Sequence, residues 1–244
     1  MATNPVLERA DFDISPGSSG VMTMRGTVNK AAILLLLTIV AAAYTWSATR
    51  SGYAQNAMTF TAIGGFAGFI LALITCFKQS LAPITAPIYA LCEGLLIGGV
   101  SAMYEVRTGG ITMQATMLTF GTFAGMLFLF QANILRATPM FVKIVIGATL
   151  GIMLTYLIGF ILSFFHINLS IFGGGQIGII FSLAVVVIAA LNLIIDFEFI
   201  QQSAASCSAP KYMEWYGAFG LMVTLVWLYL SILRLLSNLN GNNR

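Results

Sequence analysis

Apolar residues run through this chain in long blocks broken by short polar stretches. The blocks cover roughly residues 28–48, 57–77, 83–104, 112–132, 141–165, 175–199 and 214–237. A helix needs about 20 mostly apolar residues to cross the hydrocarbon core, so each block is long enough to span once. The residue-by-residue alternation of barrel strands is absent. The pattern predicts seven transmembrane helices in an all-α integral membrane protein. The connections at 49–56, 78–82, 105–111, 133–140 and 166–174 are short, and the one at 201–213 is the longest, leaving no room for a second folded domain. Residues 1–27 are polar, with Pro5, Pro16 and a Gly-Ser run, and are expected to form a flexible tail, while 239–244 form a short polar C-terminal tail. The N-terminal tail carries Glu8, Asp11 and Asp13 and lacks an apolar stretch, so the first span, not a cleaved signal, is expected to direct membrane insertion.

Composition narrows the class further. The chain is 59% hydrophobic and only 8% charged, against about 25% charged in soluble domains. That excludes an ordinary soluble enzyme, a disordered chain and a nucleic-acid-binding domain. The formal net charge of +3 is too small to suggest a polyanionic partner. Cys76, Cys92 and Cys207 have neither disulfide-framework nor metal-ligand spacing, so no metal site is expected. The distribution of cations matters more than their sum. Arg9, Arg25, Lys30, Lys78, Arg136, Lys143 and Lys211 fall on the side of the N-terminus, and Arg50, Arg107, Arg234 and Arg244 on the other. This bias predicts a cytoplasmic N-terminus and, with an odd number of spans, a C-terminus outside. Trp46, Tyr53, Tyr104, Trp215 and Tyr216 sit near span ends, where aromatic rings anchor at headgroup level.

Between helices in lipid, small residues that let backbones approach are the packing signal. Gly-x-x-x-Gly occurs at Gly64/Gly68, Gly94/Gly98, Gly121/Gly125, Gly147/Gly151 and Gly174/Gly178. These are expected to pack helices within the bundle.

Two acids fall inside spans: Glu93 in the middle of the third and Asp196 toward the end of the sixth. An ionisable group at such depth costs at least ~2.5 kcal/mol on insertion scales and normally faces a cavity or a partner. Asn192 stands one turn before Asp196, and Gln201 and Gln202 follow, which suggests polar groups gathered near one mouth. Low dielectric disfavours a charged carboxylate, so such a group would respond to protons. Lys78 and Lys211 are the candidate counter-ions, while Arg234, at the other side, is expected to snorkel. The alternative role for both acids is to tie helices together.

Catalytic constellations are missing. The single histidine, His166, lies in a loop, and neither Gly-x-Ser-x-Gly nor His-Glu-x-x-His nor a phosphate-binding loop occurs. The last span holds no lysine for a Schiff base, and Asp196 is the only aspartate in any span. The chain is not expected to be an enzyme.

Several stretches resemble the bacterial branch of the Bax-inhibitor transmembrane family. They are N-P-V-L at 4–7, V-N-K at 28–30, Y-A-L-C-E-G-L-L-I-G-G-V-S-A-M-Y-E at 89–105 and A-L-N-L-I-I-D-F-E-F-I at 190–200. The longest is A-P-K-Y-M-E-W-Y-G-A-F-G-L-M-V-T-L-V-W-L-Y-L-S-I-L-R-L-L-S at 209–237. The resemblance implies a seven-helix bundle with the last helix central, in a bacterial cytoplasmic membrane. It further implies a pH-sensitive calcium leak latched by two aspartates and an arginine. Asp196 falls on the first aspartate, whereas Thr224 stands where the second would be, and no arginine lies within spans two or three.

Three functions follow as expectations. The first is a proton-gated cation leak using Asp196, Asn192, Glu93 and Thr224, with calcium only a transient ligand and no resident cofactor. The second is a non-conducting regulator of a membrane complex, such as a membrane-anchored ATP-dependent protease, acting through the tail and the loop at 201–213. A small-molecule transporter comes third, because paired Gly-interrupted half-helices are not evident.

Overall fold

The computed structural model describes residues 20–51, 54–165, 171 and 175–242, with backbone alone at 54–56 and 242. The N-P-V-L stretch at 4–7, the tail charges, Tyr53, His166, Gly174 and Arg244 lie outside the described residues. Seven long helices follow in order: α1 Met24–Arg50, α2 Ala54–Phe77, α3 Ala82–Arg107, α4 Ile111–Gln131, α5 Pro139–Phe164, α6 Gln176–Ala205 and α7 Met213–Asn242. A 3-10 turn, Gln79–Leu81, joins α2 to α3. Each of the seven is long and apolar enough to cross a membrane.

Helix ends are set by local chemistry. The Thr23 hydroxyl accepts from Gly26 N at 3.0 Å, so α1 begins ahead of the apolar block at 28. Thr138 caps α5 in the same way, with Pro139 in the first turn, where its missing N–H is harmless. At the start of α4, Gly110 adopts φ 82°. The Glu105 carboxylate accepts from Gly110 N at 2.6 Å and Thr112 N at 3.1 Å, satisfying donors that the helix cannot. Helices α6 and α7 run furthest past their apolar blocks, to Ala205 and Asn242. Hydropathy marks the hydrocarbon crossing, whereas backbone hydrogen bonding carries the helix on into its polar flank. The α6–α7 connection is accordingly shorter than the pattern suggests.

The last helix is the central one. It packs against α1, α3, α4 and α6. Half of its span is buried, against 6% for α5, which packs on α6 at the periphery. Two apolar clusters share α7. One joins Leu34, Tyr89 and Ala90 to Phe219, Met222 and Val226. The other joins Met126, Phe130, Leu193 and Phe197 to Leu228 and Leu233.

Glycine builds the other seam, where α3 meets α1 and α2. A Cβ on Gly94 would stand 2.7 Å from Ala41 Cβ, and one on Gly98 would collide with the Ala42 carbonyl and Thr45. A Cβ on Gly64 would stand 2.6 Å from the Cys92 carbonyl. These approaches exist because a side chain is missing. By contrast, Gly121, Gly125, Gly147 and Gly151 have nothing within 4 Å of a built Cβ. The same sequence pattern therefore packs helices on α2 and α3 and faces open space on α4 and α5.

Candidate functional site

The two acids within spans occupy separate seams. Glu93 on α3 is 9% exposed, and its carboxyl interacts with Tyr89, one turn earlier. Its Oε1 lies 3.2 Å from the position of a Cβ on Gly68 of α2. Tyr89 in turn meets Phe219 of α7 edge to face at 4.9 Å. Glu93 is thus held between α2 and α3, with its partner tied to the central helix.

Asp196 lies in the α6–α7 seam. The Thr224 hydroxyl interacts with its carboxyl, and its Oδ1 approaches within 4.0 Å of a Cβ built on Gly220. The other oxygen, Oδ2, is buried and has no hydrogen-bond partner among the described residues. Thr224 Oγ1 donates to Gly220 O at 3.3 Å. The structure therefore brings Asp196 and Thr224 together, the two positions singled out by the resemblance.

Other candidates disperse. Asn192 turns toward α5, where its Nδ2 donates to Thr149 Oγ1 at 2.9 Å and back to Ile188 O at 2.9 Å. It shares a helix with Asp196 but serves a different neighbour. Gln201 Oε1 accepts from Arg136 at 3.2 Å, and Gln202 donates to Glu198 at 2.9 Å. Glu198 lies 3.6 Å from Arg136, so these groups gather around Arg136 and leave Asp196 apart. Neither Lys78 nor Lys211 forms an ion pair with Asp196 among the described residues. Arg234 donates to the Tyr156 hydroxyl at 3.1 Å.

Sequence reasoning missed a clasp at the end of the bundle that holds the start of α1. Lys30 pairs with Glu214, which is 2% exposed, and Glu214 Oε1 also accepts from Thr23 N at 3.0 Å and Thr23 Oγ1 at 2.8 Å. Beside it the backbone pairs, with Met22 N donating to Ala209 O at 2.8 Å and Lys211 N to Gly20 O at 2.9 Å. Lys30 Nζ also lies 5.5 Å above the Trp215 ring. The available signal was an acid in the first turn of the last span, on the membrane side where cations gather.

Two cavities lie between α1 and α4, with α7 behind them. One, of about 750 Å³, opens at the clasp end near Arg136, and the other, of about 440 Å³, lies toward the opposite end. Leu35, Phe120 and Leu225 line both, so the two meet at one apolar constriction. The second cavity is edged by Ser101 and Tyr229, whose hydroxyls are 2.7 Å apart, and by Thr112 and Thr116. No carboxylate lines either cavity.

With this architecture in view, the family model described as Bax inhibitor 1 like matches residues 4–241. The chain belongs to that family. The match takes in α3, α6 and α7 whole but for the last residue of α7, and so covers Glu93, Asp196 and Thr224. No curated protein matches the chain. Within this Bax inhibitor 1 like bundle, the arrangement can hold one buried carboxyl beside a hydroxyl in the α6–α7 seam. His, Cys, Asp and Glu form no cluster of three able to hold a metal among the described residues.

Proposed function

We propose that this protein is a passive leak for small cations, calcium among them, held shut by the Asp196–Thr224 contact and responsive to protons at Asp196. One observation carries the reading: the buried Asp196 Oδ2 without a hydrogen-bond partner. An unsatisfied buried polar atom is destabilising, and an ionised one more so, so the seam is stabilised by whatever satisfies that oxygen. A proton or a cation does so, and the two compete. Protonation removes the attraction for a cation, while a bound cation excludes the proton.

The position of the contact supports the same reading. Asp196, Gly220 and Thr224 each precede a residue that lines the larger cavity: Phe197, Leu221 and Leu225. The latch is therefore next to that wall in sequence, about 100° around each helix from the residues that line it. Having one aspartate, the latch takes up one proton. The expected consequence is a flux that follows a single-proton titration.

The test is cation flux into vesicles holding the purified protein, measured while pH is varied through the neutral range. Wild type is expected to show pH-dependent flux, and Asp196→Asn a flux that does not change with pH. Equal pH dependence in the two proteins overturns the latch.

A second reading, a non-conducting regulator of a membrane complex such as a membrane-anchored protease, is favoured by the clasp. Pairing of Gly20 and Met22 with Ala209 and Lys211 unites the segment before α1 and the α6–α7 connection into one surface. By the charge bias that surface is cytoplasmic. Absence of flux in wild type and mutant alike, at every pH, selects this reading over the leak.

A further inference from the structure

The larger cavity has features that neither reading uses. It is walled by α1 and α4, which leave it open between them, and floored by α6 and α7. Val28 and Phe120 on its lips are exposed side chains, 59% and 44% respectively, so the opening faces the hydrocarbon of the membrane. Its lining is apolar except at one end, where Gln131, Asn133, Arg136 and Gln201 gather. Arg136 is the one charged residue lining it. The guanidinium lies 5.0 Å over Phe130, itself a wall residue, with the Arg136 side chain 40% exposed.

The depth is informative. On α1 the wall runs from Met24 to Leu35, and on α4 from Gln131 back to Phe120. At about 1.5 Å of rise per residue each wall is about 16 Å long. That is close to half of the ~30 Å hydrocarbon thickness, the depth of one leaflet. At its inner end the cavity narrows at Leu35, Phe120 and Leu225, where it meets the smaller cavity and where an acyl chain from that leaflet would also end. Its volume of about 750 Å³ falls within the ordinary range for ligand pockets.

We infer that this cavity is a binding groove for a phospholipid with an anionic headgroup, drawn from the leaflet on the Arg136 side. An acyl chain lies along α7 between α1 and α4, and the headgroup phosphate meets Arg136 at the rim. Arg136 already donates to Asn133 and Gln201. These bonds fix the guanidinium at the rim while leaving it open to solvent on one face. Glu198, 3.6 Å away, offsets part of its charge, so the headgroup preference is modest. The inference goes beyond the leak and does not depend on conduction.

The experiment uses the full-length chain in nanodiscs carrying a trace of phosphatidylglycerol or phosphatidylcholine, each with the same photoreactive acyl chain. Labelling is expected to concentrate on Leu127, Phe197 and Leu221, with phosphatidylglycerol favoured up to about fivefold, the ceiling set by one full cation at an anionic surface. Arg136→Gln is expected to remove the preference while labelling stays at the same residues. Ala32→Trp, at an exposed lip of the groove, is expected to suppress that labelling for both lipids. Wild-type labelling spread evenly over the outward face of α5 overturns the groove, as does capture of a second copy of the chain there in place of lipid. A phosphatidylglycerol preference that survives Arg136→Gln overturns the role of the arginine.

Discussion

The α1–α3 and α4–α5 regions use similar residues to opposite effect. In the first, α3 lies so close to α1 and α2 that Gly64, Gly94 and Gly98 have no room for a methyl group. In the second, α4 and α5 carry their own Gly-x-x-x-Gly pairs, yet a Cβ at any of those four positions meets nothing. Val145 is the one residue of α5 that is buried. Where lipid and leucine are equally apolar, packing depends on close contact, which only the first region achieves. The central helix joins the two, bearing on α1 and α3 at one flank and on α4 and α6 at the other.

The largest expected effect comes from adding bulk on each side of this divide. Gly98→Leu would press on the Ala42 carbonyl, an α1 backbone atom that cannot rotate away. It should destabilise by about 3 kcal/mol, the upper end for overpacking. Gly147→Leu should stay within about 0.5 kcal/mol. Thermal unfolding in a fixed detergent compares them, and equal losses would erase the distinction between the halves.

A smaller contrast separates the two ion pairs. Glu214→Gln weakens the clasp, where Glu214 is 2% exposed and Lys30 16%, and should cost about 2 kcal/mol as charged hydrogen bonds are lost. Glu198→Gln acts on a pair at 3.6 Å whose arginine is 40% exposed, and should cost less than about 0.5 kcal/mol. Denaturant titration of both, with salt raised in a parallel series, gives the ranking.

The smallest effect sharpens the comparison at the smaller cavity. Tyr229→Phe removes the 2.7 Å hydroxyl contact that ties α7 to Ser101 on α3. The expected loss is about 1 kcal/mol. Ser101→Ala should match it, and the double variant should cost little more than either alone, which a double-mutant cycle measures.

The sequence pattern located the seven spans well because hydrocarbon thickness imposes a length that composition cannot disguise. Helix α2, for example, ends at Phe77, as its apolar block does. The pattern could not say which glycine pairs are in use, since Gly94/Gly98 and Gly147/Gly151 are the same motif and differ only in what stands opposite. Asn192 and Asp196 illustrate the limit at the site. One turn apart, they were expected to share a face, yet Asn192 reaches Thr149 on α5 while Asp196 meets Thr224 on α7. Spacing gives the face of a helix but not the rotamer, and a small rotation at the seam decides the partner. The Lys30–Glu214 pair was not legible, because nothing local joins residues 184 positions apart.

The helix at the centre is also made after the other six described helices. Translation delivers α1, α2 and α3 first, and their glycine seams close without help from any later helix. The place for α7 between them and α4 must stay vacant, or filled by lipid, until the ribosome has completed all six preceding spans. The clasp between Thr23 and Glu214, across 191 positions, can close only once α7 has been made. A chain arrested before α7 would keep a lipid-filled slot at its core, together with an unpaired Lys30 beside the membrane surface.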